Sequence, residues 1–193
     1  LGFHDTLHHM PVVRQAAIAS SFGLRFQGEG YFLTDARTHR GTSGAPVVMR
    51  CARTESGLGD PPGLALGQCQ TQRNLSEQGR QESRDLGRWM QAQPVKPDAV
   101  LSSQWCRCQD TARLAFGAYD NWWPLNSTFA GQGDANAQAL AMRARLRELP
   151  PGRREVWVTH QVNMTALTEA YPAMGEAFLV DRQARLLARG RLT

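Results

Sequence analysis

The sequence predicts a layered α/β domain over residues 46–193, a three-layer α/β/α arrangement around a mostly parallel sheet, behind an N-terminal β-rich appendage over residues 1–45. Three observations lead there. Before residue 50 the apolar runs are short and bounded by glycine-rich turns, as in PVVRQAAIAS, GLRFQGEGYFL and GAPVVMR, which is strand patterning. After Leu75 short apolar runs alternate with segments of helical spacing, which places helices on both faces of one sheet. No internal repeat and no low-complexity tract interrupts the alternation.

The elements follow in chain order. GAPVVMR supplies the first strand of the layered domain. Glu55 to Gln72, rich in Gly and Pro, reads as a long loop, and loops of that length often carry function. SEQGRQESRDLGRWMQ opens on Ser76 as an N-cap and continues as a helix. DAVLSS is a short buried strand and QWCRCQDTARLAFG a helix. Trp122 to Phe129 is irregular, with Trp122, Trp123 and Phe129 expected to serve in packing. NAQALAMRARLREL is a helix ended by Pro150-Pro151, REVWVTH a strand, and NMTALTEAY a short helix. GEAFLVD and ARLLARG form a closing strand pair.

Composition narrows the function classes. A hydrophobic fraction of 41% and a charged fraction of 20% belong to an ordinary globular chain. No apolar run approaches the roughly 18 residues of a membrane span, so no membrane role is expected. The net charge is +5, carried almost wholly by arginine, with Lys96 the sole lysine. The arginines are interspersed with acids, as in RNLSEQGRQESRD, and form no basic block, which argues against a nucleic-acid partner and leaves a mild bias toward anionic substrates. The N-terminus, LGFHDTLHHM, has neither a start methionine nor an apolar signal core and reads as processed or truncated, so the address is open, with export one option. Of four cysteines, Cys51, Cys69, Cys106 and Cys108, no two form a CxxC pair, and Cys106-Arg107-Cys108 is too tight for a zinc knuckle. One disulfide, Cys69 with Cys106 or with Cys108, competes with four free thiols. Neither a metal nor an organic cofactor is expected.

Three segments carry chemistry: VVMRCARTE, SSQWCRCQDTA and VWVTHQVN. Each ends an apolar strand, and in open α/β sheets ligands gather outside the carboxyl ends of strands. Arg50, Cys51, Arg107 and His160 are thereby expected around one pocket. Two guanidiniums and an imidazole make an oxyanion cage, and the planar fork of arginine suits phosphate oxygens. Backbone N–H groups at the helix starts near Gln104 and Gln161 are expected to add to it.

These motifs resemble the histidine phosphatase (phosphoglycerate mutase-like) family, whose pattern is Arg-His-[Gly/Ala] after the first strand, Leu-[Ser/Thr]-x-x-Gly, Ser-Ser-x-x-x-Arg-x-x-x-Thr-Ala, and a late strand ending in a second histidine. The chain has Arg50-Cys51-Ala52, then Leu75-Ser76-Glu77-Gln78-Gly79, then Ser102-Ser103 through Arg107 to Thr111-Ala112, then Val158-Thr159-His160. The resemblance covers residues 46–193. It implies a phosphoglycerate mutase-like fold and phosphomonoester hydrolysis through a covalent phospho-enzyme, with a phosphorylated small molecule or a phosphoprotein as partner. It also implies that Arg50, Arg107 and His160 bind phosphate and that His160 takes part in catalysis. Cys51 holds the nucleophile position. In one reading it is a working nucleophile whose neighbours Arg50, Arg107 and His160 favour the thiolate. In the other the domain is a pseudophosphatase that binds phospholigands, because sulfur and imidazole nitrogen stand at different distances from the backbone and in-line attack tolerates little misplacement. The nearest carboxylates for a general acid, Asp120 and Asp134, read as turn residues. Arg53 and Arg73 are further candidates for contact with the substrate.

The N-terminal stretch has a second resemblance. Gly41-Thr42-Ser43-Gly44-Ala45-Pro46 after β patterning is similar to the nucleophile turn of trypsin-like serine peptidases. That implies Ser43 as a nucleophile, with the N–H groups of Gly41 and Ser43 as oxyanion donors. A peptidase fragment acting through Ser43 is therefore the alternative function. His4, His8, His9, His39 and Asp5 do not fall where the triad needs them, so an inactive remnant is expected. VVMR closes one pattern and opens the other, as a gene fusion would produce.

Overall fold

The computed structural model describes residues 46–57, 59–92 and 96–191. The expected appendage over residues 1–45, Ser43 with it, lies outside the described residues.

Six strands form one sheet: β1 (Val47–Arg50), β2 (Ala99–Ser102), β3 (Asp120–Asn121), β4 (Glu155–Thr159), β5 (Glu176–Val180) and β6 (Leu186–Arg191), in the order β3-β2-β4-β1-β5-β6. The four strands β3, β2, β4 and β1 run parallel. β5 joins β1 antiparallel and β6 pairs back on β5, as the closing run of strand-like sequence predicts. All five residues of β4 are buried, the pattern of a central strand covered on both faces.

Alternation along the strands feeds two cores. Val48, Leu101, Trp157 and Phe178 face one side, where α3 (Ala135–Glu148) contributes Met142 and Leu146 and α4 (Gln161–Thr168) contributes Met164 and Leu167. Met49, Val100, Val156 and Val158 face the other, against Leu86 of α1 (Glu77–Ala92) and Cys108, Ala112 and Ala115 of α2 (Cys106–Phe116). The result is the expected three-layer α/β/α fold.

Local chemistry explains the helix starts. Ser76 Oγ accepts from Gly79 N at 3.1 Å, so Ser76 caps α1. Gly79 is required for packing: a Cβ there would stand 1.9 Å from the Arg53 carbonyl oxygen. The Leu-Ser-x-x-Gly stretch thus seats α1 on the chain leaving β1. Asp134 caps α3 by accepting from Asn136 N and Ala137 N, both at 3.0 Å, and the helix ends before Pro150.

The sequence reading missed β3, because a two-residue strand carries no pattern. The stretch expected to be irregular holds two short 3₁₀ turns, Trp123–Leu125 and Phe129–Gly131. Trp122 packs edge-on against Trp157, but Trp123 and Phe129 are half exposed, so only one of the three aromatics joins the core. Of the open cysteine pairings the structure contains Cys69–Cys106, leaving Cys51 and Cys108 as free buried thiols. Among the described residues no helix is long and apolar enough to cross a membrane.

Candidate functional site

The sheet's hydrogen-bond ladder runs one residue past its strands and places the chemistry. Cys51 N donates to Thr159 O at 3.0 Å, and Ser103 N donates to Val158 O at 2.9 Å. Cys51, Ser103 and His160 are therefore brought level at the carboxyl ends of β1, β2 and β4. Thr111 locks the arrangement: its hydroxyl accepts from Ala52 N at 3.1 Å and donates to Arg107 O at 2.8 Å, tying the turn after β1 to α2.

His160 is 6% exposed and Cys51 5%. His160 Nε2 lies 2.8 Å from Ser103 Oγ, and His160 Nδ1 lies 3.4 Å from an Arg107 guanidinium nitrogen. A guanidinium only donates, which assigns Nδ1 as acceptor and puts the ring proton on Nε2, toward Ser103. Ser103 Oγ donates its own hydrogen bond to Asn126 Oδ1 at 3.3 Å. Burial, then the Arg107 charge, holds the imidazole well below its ordinary range, so His160 is neutral at pH 7. A neutral ring adds no positive charge to the cage. What favours the Cys51 thiolate is chiefly a hydrogen bond from Cys108. It outweighs burial, with help from the charges of Arg107 and Arg50, and brings the Cys51 thiol down to about 7. Burial and the neighbouring Cys51 push the Cys108 thiol well up, so Cys108 stays a donor.

Four of the residues singled out in the sequence meet here: Arg50, Cys51, Arg107 and His160. Arg50 also donates to the Pro172 carbonyl at 3.1 Å. One expectation is corrected, and the remaining candidates take the following places. The Gln104 N–H is taken by Asn126 Oδ1 at 2.8 Å and is not free for a ligand. Asp134 caps α3 and Asp120 sits exposed on the edge strand, so neither stands at the site. Arg53 pairs with Glu82 at 3.3 Å, half in solvent. Arg73 reaches the site's rim and donates to the Gly57 carbonyl.

The sequence reading missed Asp60 and Cys108. Asp60 belongs to the Glu55–Gln72 loop, and its carboxylate pairs bidentately with Arg107, at 2.5 Å and 3.1 Å. Arg73 N and Trp105 Nε1 donate to the same carboxylate, each at 3.0 Å. Burial pushes the Asp60 carboxyl up, but the Arg107 hydrogen bond and charge outweigh it and keep it ionised. The only signal for Asp60 in the sequence was the loop's length. Cys108 could have been found from the helical spacing Cys108, Ala112, Ala115, which turns it to the sheet.

Cys51, Cys108 and His160 each place a donor atom within 4.8 Å of the others, the spread of a thiophilic metal set. The hydrogen bonds oppose that use. An ion on Nε2 would drive the ring proton onto Nδ1, against the obligate donor Arg107.

Residues 47–127 match the sequence model of the histidine phosphatase superfamily (branch 1). The match runs from β1 past β3 and stops short of His160. Solved structures share the fold. The α-ribazole phosphatase of Shigella flexneri aligns at 16% identity over 77% of this chain and 96% of its own, with a TM-score of 0.53. The protein TTHB049 of Thermus thermophilus aligns at 19% identity over 76% and 98%, with a TM-score of 0.50. The protein histidine phosphatase SixA, solved with tungstate, aligns at 15% identity over 76% and 96%, also at 0.50. No curated protein sequence matches the chain. In the matched segment the motif positions fall at β1, α1, β2 and α2.

Proposed function

We propose that this domain handles phosphoryl groups at the carboxyl end of the sheet, with Arg50, Arg107 and His160 binding phosphate and Cys51 at the nucleophile position, impaired for turnover. The observation that carries this is the convergence of Cys51, Arg107 and His160, which hydrogen bonds from β1, β2 and β4 hold together. Superfamily relatives that handle phosphorylated groups, and SixA solved with the phosphate-like tungstate ion, support the ligand class.

In a turnover, the Cys51 thiolate attacks phosphorus in line. An S–P bond forms as the P–O bond to the leaving group breaks, and the leaving oxygen takes a proton from water. Water then attacks the phosphocysteine, releasing inorganic phosphate and restoring the thiolate. The arginines neutralise the equatorial oxygens, and neutral His160 donates to one of them only by turning its Nε2–H from Ser103 to the ligand. One observation weighs against turnover: Cys51 is nearly sealed from solvent, which hinders in-line attack. A phosphorylated small molecule or phosphoprotein is the ligand in either case.

The test is hydrolysis of an aryl phosphate by the chain beside Cys51→His. A silent parent and an active variant are expected. Activity in the parent that alkylation removes would make Cys51 a competent nucleophile. Silence in both, with folding intact and no binding of tungstate, would end the phosphoryl reading.

A further inference from the structure

The Asp60 carboxylate sits in a built oxyanion shell. Its two oxygens receive both terminal nitrogens of Arg107, the indole N–H of Trp105 and the backbone N–H of Arg73. Four convergent donors, two of them from one guanidinium fork, are what a phosphate group asks of such a pocket. The remaining capacity of the fork is spent on the Arg73 carbonyl at 3.2 Å and on His160 Nδ1. A phosphoryl group therefore cannot take the forked edge of Arg107 while Asp60 holds it. The side chains of Asp60 and Arg107 are only 5% and 6% exposed.

The loop that carries Asp60 is pinned at other points. Phe129 stands over Gly59, where a Cβ would meet its ring at 3.1 Å. Gln72 Oε1 accepts from Cys106 N at 2.9 Å. The Cys69–Cys106 disulfide joins the loop covalently to the first residue of α2, next to Arg107 itself. Arg73 Nε, at the loop's end, is buried with no hydrogen-bond partner among the described residues, so this rim holds donor capacity that Asp60 does not use.

We propose that the Asp60 loop is an internal latch: its carboxylate occupies the phosphate cage at rest, and a phosphoryl ligand binds by displacing it. The inference rests on the phosphoryl-site assignment above and adds the competitor that the site contains. It makes the cage selective for ligands that outcompete a carboxylate, since a dianionic phosphoryl group brings more charge and a third oxygen to the same donors. It also gives the disulfide a role beyond stability, as the tether that keeps the competitor at high local concentration.

Tungstate binding by the full chain tests it. Asp60→Asn keeps the side chain's size and removes its charge. A latch closed at least about nine times in ten lowers apparent affinity about tenfold, so the variant is expected to bind tungstate at least about tenfold more tightly than the parent. Equal or weaker binding by a folded Asp60→Asn chain overturns the latch and makes Asp60 a positioning residue for Arg107. If Asp60→Asn does not fold, the Cys69→Ser/Cys106→Ser chain decides: it frees the loop without touching Asp60, and a gain in affinity supports the latch while no gain overturns it. A folded parent and folded variants that all fail to bind tungstate would instead overturn the phosphoryl assignment. Parent binding without a gain in the variants removes the latch alone.

Discussion

The sheet carries an arginine paired with a buried carboxylate at each end, and the two are built differently. At the amino end of β4, Glu155 accepts from Arg145 at 2.8 Å and 2.9 Å and from Trp157 Nε1 at 2.9 Å. Every partner is near in sequence, and the carboxylate is fixed within a central strand. At the carboxyl end, Asp60 accepts from Arg107, 47 residues away, and from Trp105 and the Arg73 backbone. Here the carboxylate belongs to a long loop and lies beside a neutral imidazole and an acidified thiol. The same bidentate chemistry serves as scaffold where the backbone fixes it, and is displaceable where a loop presents it.

Removing one partner separates the two ends most sharply. Arg107→Ala leaves the Asp60 carboxylate buried without its cation, which costs about 3–5 kcal/mol when a buried pair is broken on one side. The same change should abolish tungstate binding. Urea unfolding and equilibrium binding check both. Retention of tungstate affinity in folded Arg107→Ala would dissolve the contrast, because the carboxyl-end pair would then be only scaffold.

Opening the disulfide comes next in size. Cys69–Cys106 closes a loop across a separation of 37 residues, and bridges of that kind contribute about 2–4 kcal/mol. Reduction should lower the unfolding midpoint accordingly. Glu155→Gln follows, at about 1–3 kcal/mol, because Arg145 is partly in solvent and its charge is screened. It should leave tungstate affinity unchanged. A change in affinity from Glu155→Gln would mean that the ends of the sheet are coupled and that the comparison misplaces the boundary between scaffold and site.

Much of the architecture was legible because it rests on local rules. Ser76 as an N-cap announced α1, the apolar run in REVWVTH announced β4 as a strand, and Pro150-Pro151 marked the end of α3. The ends of β1, β2 and β4 could be placed together because parallel strands point one way. What the sequence hid is what depends on long-range approach. Asp60 reaches Arg107 only because the loop folds back over α2. Cys108, not His160, turns out to be the main influence on Cys51, which required knowing which face of α2 meets the sheet. The pairing of Cys69 with Cys106 and not Cys108 has the same origin: neighbours two apart on a helix face opposite sides, and only one faces the loop.

The smallest effect lies in the Cys51–Cys108 contact, and it reads out as pH dependence. The folded Cys51 thiol loses its proton at about 7, against an ordinary value of 9.0. Between those values the unfolded chain binds more protons than the folded one at this site, so the contribution of Cys51 to stability grows as pH rises from about 7 to 9. His160 acts in the same sense at lower pH. Its folded value lies below the ordinary 6.5, so the unfolded chain takes up the proton first and stability falls as pH drops through that value. Alkylation of the folded chain by a small haloamide should therefore rise with pH through a midpoint at about 7. In Cys108→Ala, which removes the largest cause of the lowering, the midpoint should move up toward the ordinary thiol range. An unmoved midpoint would assign the acidity of Cys51 to Arg107 and Arg50, and the carboxyl end of the sheet would then be governed by its arginines alone, as the amino end is.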